Sequence, residues 1–103
     1  MSFLQKLFGG GQTADLKSII DQGAFLVDVR EPDEFLGGSA KGAVNVPLGR
    51  VATELDMFKG KENIIVFCRS GNRSARAKII LEQSGFKNVK NGGALEELNR
   101  LTK

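Results

Sequence analysis

Apolar residues follow two rhythms along this chain. In "AFLVDV" and "NIIVF" they run nearly unbroken and are rich in strand formers, which predicts strands buried on both faces. Elsewhere they recur at helical spacing. Residues 13–23 predict a helix, with Thr13 as N-cap, Leu16, Ile19 and Ile20 on one face, and Gly23 as its stop. "EPDEF" places Pro32 at a first helical position with acids in the first turn. "AVNV" reads as a short strand ended by Pro47. "GRVATELDMF" predicts a helix through Val51, Leu55 and Phe58. Residues 74–85 predict another, with Ala75, Ile79, Glu82 and Gln83 turned outward and Gly85 ending it. "KNV" is a brief strand, Gly92 and Gly93 follow, and "ALEELNRL" is a last helix. Short apolar strands alternating with helices predict an α/β fold: a small, mostly parallel sheet with helices on both faces.

The remaining composition narrows the setting. The chain has 103 residues, 41% of them apolar, enough for one domain with one core. A net charge of +3 without a long basic run or aromatic stripe argues against nucleic acid as a partner. The start, "MSFLQKLFGGGQ", lacks the apolar core of roughly 7–15 residues that a signal peptide needs. Residues 1–12 therefore read as a flexible tail with a Gly9-Gly10-Gly11 hinge, and residues 13–103 as the domain. Phe3, Leu4, Leu7 and Phe8 alternatively suggest a short amphipathic helix for a partner or a membrane surface. No stretch is long enough for a membrane span, and a cytoplasmic location is expected.

Two counts decide the chemistry. One cysteine allows no internal disulfide, and the absence of histidine excludes a thiol–imidazole pair, a Ser-His-Asp triad and a His-rich metal site. No cofactor is expected. The lone cysteine, Cys68, ends an apolar strand and opens the loop Arg69-Ser70-Gly71-Asn72-Arg73, with Ser74 placed to cap the next helix. Ligands of open α/β sheets bind beyond the carboxyl ends of strands. Convergent loop amides, a helix N-terminus and two guanidinium groups all favour thiolate over thiol. Arg73, Arg76 and Lys78 stand near a helix start, where cations are disfavoured by about 0.3–1 kcal/mol each, so something negative is expected there. The competing reading of a lone strand-end cysteine is a small inert hydrophobe; the surrounding loop argues against it.

The loop resembles the active-site loop of single-domain rhodaneses, the thiosulfate sulfurtransferase-like family. "LVDVREPDEF" is similar to the family's Asp-Val-Arg segment through Asp28, Arg30, Glu34 and Phe35. "GAVNVPL" resembles another through Gly42, Ala43, Asn45, Pro47 and Leu48, and "GFKNVKNGG" a later one through Gly85, Phe86, Val89, Gly92 and Gly93. These motifs span residues 13–101 in family order. Gly38, Ser39 and Ala40 stand where the family commonly has Gly-His-Ile, and the nearest large residues after the Gly-Gly pair are Leu95 and Leu98, not an aromatic. The family's edge strand before the first helix is hardly visible around Gly11 and Gln12, so a shorter sheet is expected.

The resemblance implies that Cys68 attacks the outer sulfur of a small anionic donor such as thiosulfate, forming a persulfide that a thiol, cyanide or a protein acceptor removes. Arg69 is expected to bind donor. Arg73 either does the same or is tied into the scaffold. Ser70 and Asn72 either bond sulfur or oxyanion or shape the turn, and Ser74 either contacts sulfur or caps the helix. Gly71 is expected at a backbone angle closed to other residues. Arg30 and Glu34 are expected to pair as scaffold. Three rivals stand beside this reading: a persulfide carrier serving one protein partner, a phosphatase or arsenate reductase, and a binding module with dead chemistry. Cysteine phosphatases have one residue more than the four that separate Cys68 from Arg73 here.

Overall fold

A computed structural model describes residues 10–102, with side chains from Asp15 onward. The expected roles of Phe3, Leu4, Leu7, Phe8 and Gly9 lie outside the described residues. The elements run α1 (Gly10–Asp21), β1 (Phe25–Asp28), α2 (Pro32–Leu36), β2 (Val44–Asn45), two 3-10 helices (Leu48–Thr53 and Leu55–Phe58), β3 (Ile64–Cys68), α3 (Asn72–Gln83), β4 (Val89–Ala94) and α4 (Leu95–Leu101). The strands form one parallel sheet in the order β2-β1-β3-β4. Gly11 and Gln12, around which the family's edge strand is hardly visible, lie in α1, and no strand precedes α1 among the described residues.

Alternation along the two central strands divides the core. Val27, Ile64, Val66 and Cys68 face the side covered by α3 and the 3-10 helices, with Val51, Phe58, Ala77 and Leu81. Leu26, Ile65 and Phe67 face the other side, under α1 and α4, with Leu16 and Leu98. All five β3 residues are buried, which is why its sequence shows no polar alternation. On α3, Ser74, Ala77 and Leu81 point inward, while Ala75, Ile79, Glu82 and Gln83 face out as expected. Among the described residues no helix is long and apolar enough to cross a membrane.

Three local expectations fail. The last strand is not the brief "KNV" of residues 87–89: β4 starts at Val89 and takes in Gly92 and Gly93. α1 begins at Gly10, so Thr13 lies inside the helix and is not its N-cap, and Gly10 and Gly11 belong to its first turn instead of a hinge. The segment after Pro47 is not one α-helix but two 3-10 turns broken at Glu54, whose φ is −117°. Thr53 Oγ1 donates to the Arg50 carbonyl at 3.1 Å, a local bond that competes with regular helix. The inward face survives the change: Val51 and Phe58 are fully buried.

Phe58 is the hub of the α3-side core. Its ring meets Phe25 edge-on at 5.8 Å and Phe86 at 6.1 Å between centroids. Phe58→Ala is expected to destabilise the chain by about 3–5 kcal/mol, and Phe58→Leu by less than half of that, read from urea unfolding midpoints.

Candidate functional site

β3 ends with Cys68, and the chain turns at once into α3 through Arg69, Ser70 and Gly71. Gly71 makes that turn possible. It sits at φ 102° as the residue before the helix, and a Cβ there would lie 3.4 Å from Gly93 Cα. In this conformation its backbone N–H donates to Cys68 Sγ at 3.0 Å. The predicted special angle of Gly71 is thus observed, with the sulfur as its beneficiary.

Cys68 is 1% exposed and belongs to the apolar cluster that holds Val66 and Ala77. Polar groups reach its sulfur as well. Burial pushes the thiol pKa up, but the Ser74 hydroxyl and the backbone N–H groups of Ser74, Gly71 and Ser70 outweigh it, and the net direction is down. Loop amides and the first turn of α3 therefore converge on this sulfur, without any imidazole.

Ser74 does not cap α3. The helix starts at Asn72, with Gly71 before it, which carries Ser74 round to the buried inner face. Its Oγ lies 3.5 Å from Cys68 Sγ, donates to Asn91 Oδ1 at 2.7 Å and approaches the Gly71 carbonyl at 3.1 Å. Asn91 also accepts the Gly93 N–H at 2.9 Å. Nothing in the strand-like spacing of "KNV" picks out Asn91; the adjoining Gly-Gly pair, which breaks strand register beside a polar residue, is the available signal.

Arg73 is held by Glu34. The guanidinium grips both carboxylate oxygens, at 2.7 and 3.2 Å, and joins the start of α3 to α2. Arg73 and the backbone N–H of Glu31 hold the Glu34 pKa at about 2. The expected Arg30–Glu34 pair does not form. Arg30 instead turns inward onto Asp28, with Nε at 3.0 Å from both oxygens and Nη2 at 2.7 Å. The Asp28 carboxylate is fully buried, so a buried cation had to meet it, whereas Glu34 lies at the surface beside Arg73. Ser39 Oγ donates to Asp28 Oδ2 at 2.7 Å, and Asn45 Nδ2 donates to the carbonyls of Asp28 and Arg30. Ser39 thus anchors the end of β1 where the family commonly has histidine. Arg69, Ser70 and Asn72 are exposed at the rim of the loop, and their side chains make no hydrogen bond to another described residue.

Comparison with known proteins agrees with this architecture. The family model described as "Rhodanese-like domain" matches residues 12–93. The thiosulfate sulfurtransferase PspE of Escherichia coli is 32% identical over 74 residues, which are 70% of this chain and 71% of PspE. A mitochondrial relative from Schizosaccharomyces pombe is 34% identical over 84 residues, 69% of this chain but only 59% of its own length. Among solved structures, "rhodanese with anions from E. coli" superposes with a TM-score of 0.66 at 31% identity, covering 73% of this chain and 91% of that one. Sequence motifs, sheet order and matched relatives converge on one conclusion: the chain belongs to the rhodanese-like domain family, among the sulfurtransferases.

Proposed function

We propose that the chain moves sulfane sulfur from thiosulfate, or a similar small anionic donor, to a thiophilic acceptor through a persulfide on Cys68. The observation that carries this reading is the 3.0 Å bond from the Gly71 amide to a sulfur whose acidity is raised by its polar surroundings. The Cys68 thiolate attacks the outer sulfur of thiosulfate. A new S–S bond forms, the donor's S–S bond breaks, and the electron pair leaves with sulfite. The terminal sulfur of the persulfide is then anionic and sits where loop amides and the axial dipole of α3 favour negative charge. An acceptor thiolate or cyanide takes that sulfur and returns Cys68 as thiolate. Cys68 is the sole cysteine, so no thiol of the chain can resolve the persulfide and the acceptor comes from outside.

The arginines divide the work. Arg73 holds Glu34 and lends its charge to the loop as scaffold. Arg69, exposed at the rim, is free to meet the donor's sulfonate. Phosphoester chemistry fits less well. The loop is one residue short, Arg73 is engaged by Glu34, and a carboxyl with a pKa of about 2 cannot protonate a leaving alkoxide near neutral pH.

Three outcomes are expected. Intact-mass measurement after thiosulfate shows one added sulfur atom on the native chain and none on Cys68→Ser, which keeps its fold; loading of the variant would end this reading. Arg69→Ala raises the KM for thiosulfate roughly tenfold with an unchanged unfolding midpoint, because it loses one charge-assisted contact to the donor. The rate of Cys68 alkylation by iodoacetamide reaches its plateau at a lower pH than that of free cysteine and falls as the thiolate is protonated. Steady turnover with small thiols, as opposed to transfer only to one particular protein, separates the enzyme from the carrier.

A further inference from the structure

β4 carries a bulge beside the site. Val66 pairs with Asn91, but the next residue, Phe67, pairs with Gly93, leaving Gly92 as the extra residue. Only glycine fits there: a Cβ on Gly92 would come within 2.8 Å of Ile65 Cγ2 and 3.0 Å of Leu98 Cδ2. The bulge brings the Asn91 amide beneath the Cys68 loop, where it touches Ser74, Gly71 and Gly93.

Two backbone groups dictate which way that amide faces. The Gly93 N–H can only donate, and it lies 2.9 Å from Oδ1. The Gly71 carbonyl can only accept, and it lies 3.3 Å from Nδ2. Ser74 therefore meets the amide oxygen, at 2.7 Å, and has to donate to it. A hydroxyl has one proton. Asn91 Oδ1, at 2.7 Å, is the nearer acceptor for it and the Gly71 carbonyl, at 3.1 Å, the farther. While Asn91 holds it, Ser74 turns a lone pair toward Cys68 Sγ at 3.5 Å, which suits a thiol S–H and not a thiolate.

We propose that Asn91 is a positioning residue for the Cys68 sulfur, acting through Ser74 by competing with the sulfur for the Ser74 proton. The proposal rests on Cys68 being the nucleophile. Among the groups that favour the thiolate against its burial, the Ser74 hydroxyl contributes most, so control of its proton is control of the sulfur's acidity. Restraint has a chemical use: a thiolate stabilised too far is a poor nucleophile. With Asn91 in competition, the hydroxyl swings to the sulfur when negative charge is present and swings back when it is not. The charged groups around the sulfur are Arg69 in the loop, Arg73 with Glu34 from α2, and Asp28 with Arg30 at the end of β1, while Lys90 on β4 is exposed. Substitution at Asn91 changes none of them.

The test is the pH profile of Cys68 alkylation by iodoacetamide. Asn91→Ala and the isosteric Asn91→Leu remove the nearer rival for the Ser74 proton and leave the Gly71 carbonyl, at 3.1 Å, as the weaker one, and both are expected to move the midpoint down by roughly half a unit. Ser74→Ala moves it up by a similar amount, and Ser74→Ala combined with Asn91→Leu matches Ser74→Ala alone. A purely architectural role for Asn91 would give an upward or absent shift, or additive effects in the double variant, and any of these overturns the proposal. The native chain provides a check that survives misfolded variants. Its S–H Raman band at acid pH is expected below the frequency of an unbonded thiol, since the S–H donates to Ser74; a band at the unbonded position also overturns it. Sulfur loading from thiosulfate, followed separately by intact mass, reports on Cys68 as nucleophile independently of these shifts.

Discussion

The bond from the Gly71 amide to the Cys68 sulfur sets the terms for everything around it. It requires a left-handed residue three positions after the strand's last residue, hence a glycine, and it requires the helix to begin one residue later. That start places Ser74 on the inner face of α3, under the sulfur. The buried sulfur is thereby divided between two environments. The hydrocarbon side raises the cost of ionisation, and the amide side more than offsets it. A thiol fully among alkyl groups would be inert, and one fully in water would have ordinary acidity.

Around this point the charged residues serve chiefly as carpentry. Asp28 and Arg30 close on one another at the end of β1, with Ser39 and Asn45 satisfying the remaining polar groups. Glu34 and Arg73 tie α2 to the helix that begins the site. Every buried side-chain nitrogen and oxygen among the described residues has a partner, so the loop rests on a fully bonded base. Arg69 is the arginine of the loop left unengaged by this framework.

What could be read from the chain alone depended on how local the cause was. β3 was legible because five buried residues in a row leave an unbroken apolar signal, and its end placed Cys68. Gly71 was legible because a strand-to-helix turn of this length demands a residue without Cβ. The ion-pair partners were not: Arg30 lies two residues from Asp28 and four from Glu34, and only the packed fold decides which carboxylate is buried beside it. The segment after Pro47 showed helical spacing, yet Thr53 bonding to the Arg50 carbonyl favours tighter turns. Asn91 was missed because its role comes from a bulge, and a bulge shifts register in a way that strand periodicity does not reveal.

The two flanks of the sheet have a consequence for the chain's life in a crowded solution. An open parallel sheet exposes unpaired amides and carbonyls at both margins, a template for foreign strands. Here one margin, β2, is only two residues long and is closed off almost at once by Pro47, which has no amide hydrogen to offer. The other margin among the described residues, β4, carries Lys90 and is kinked at Gly92. The same irregularity that brings Asn91 to Ser74 thus also spoils this margin as a surface on which aggregates could grow.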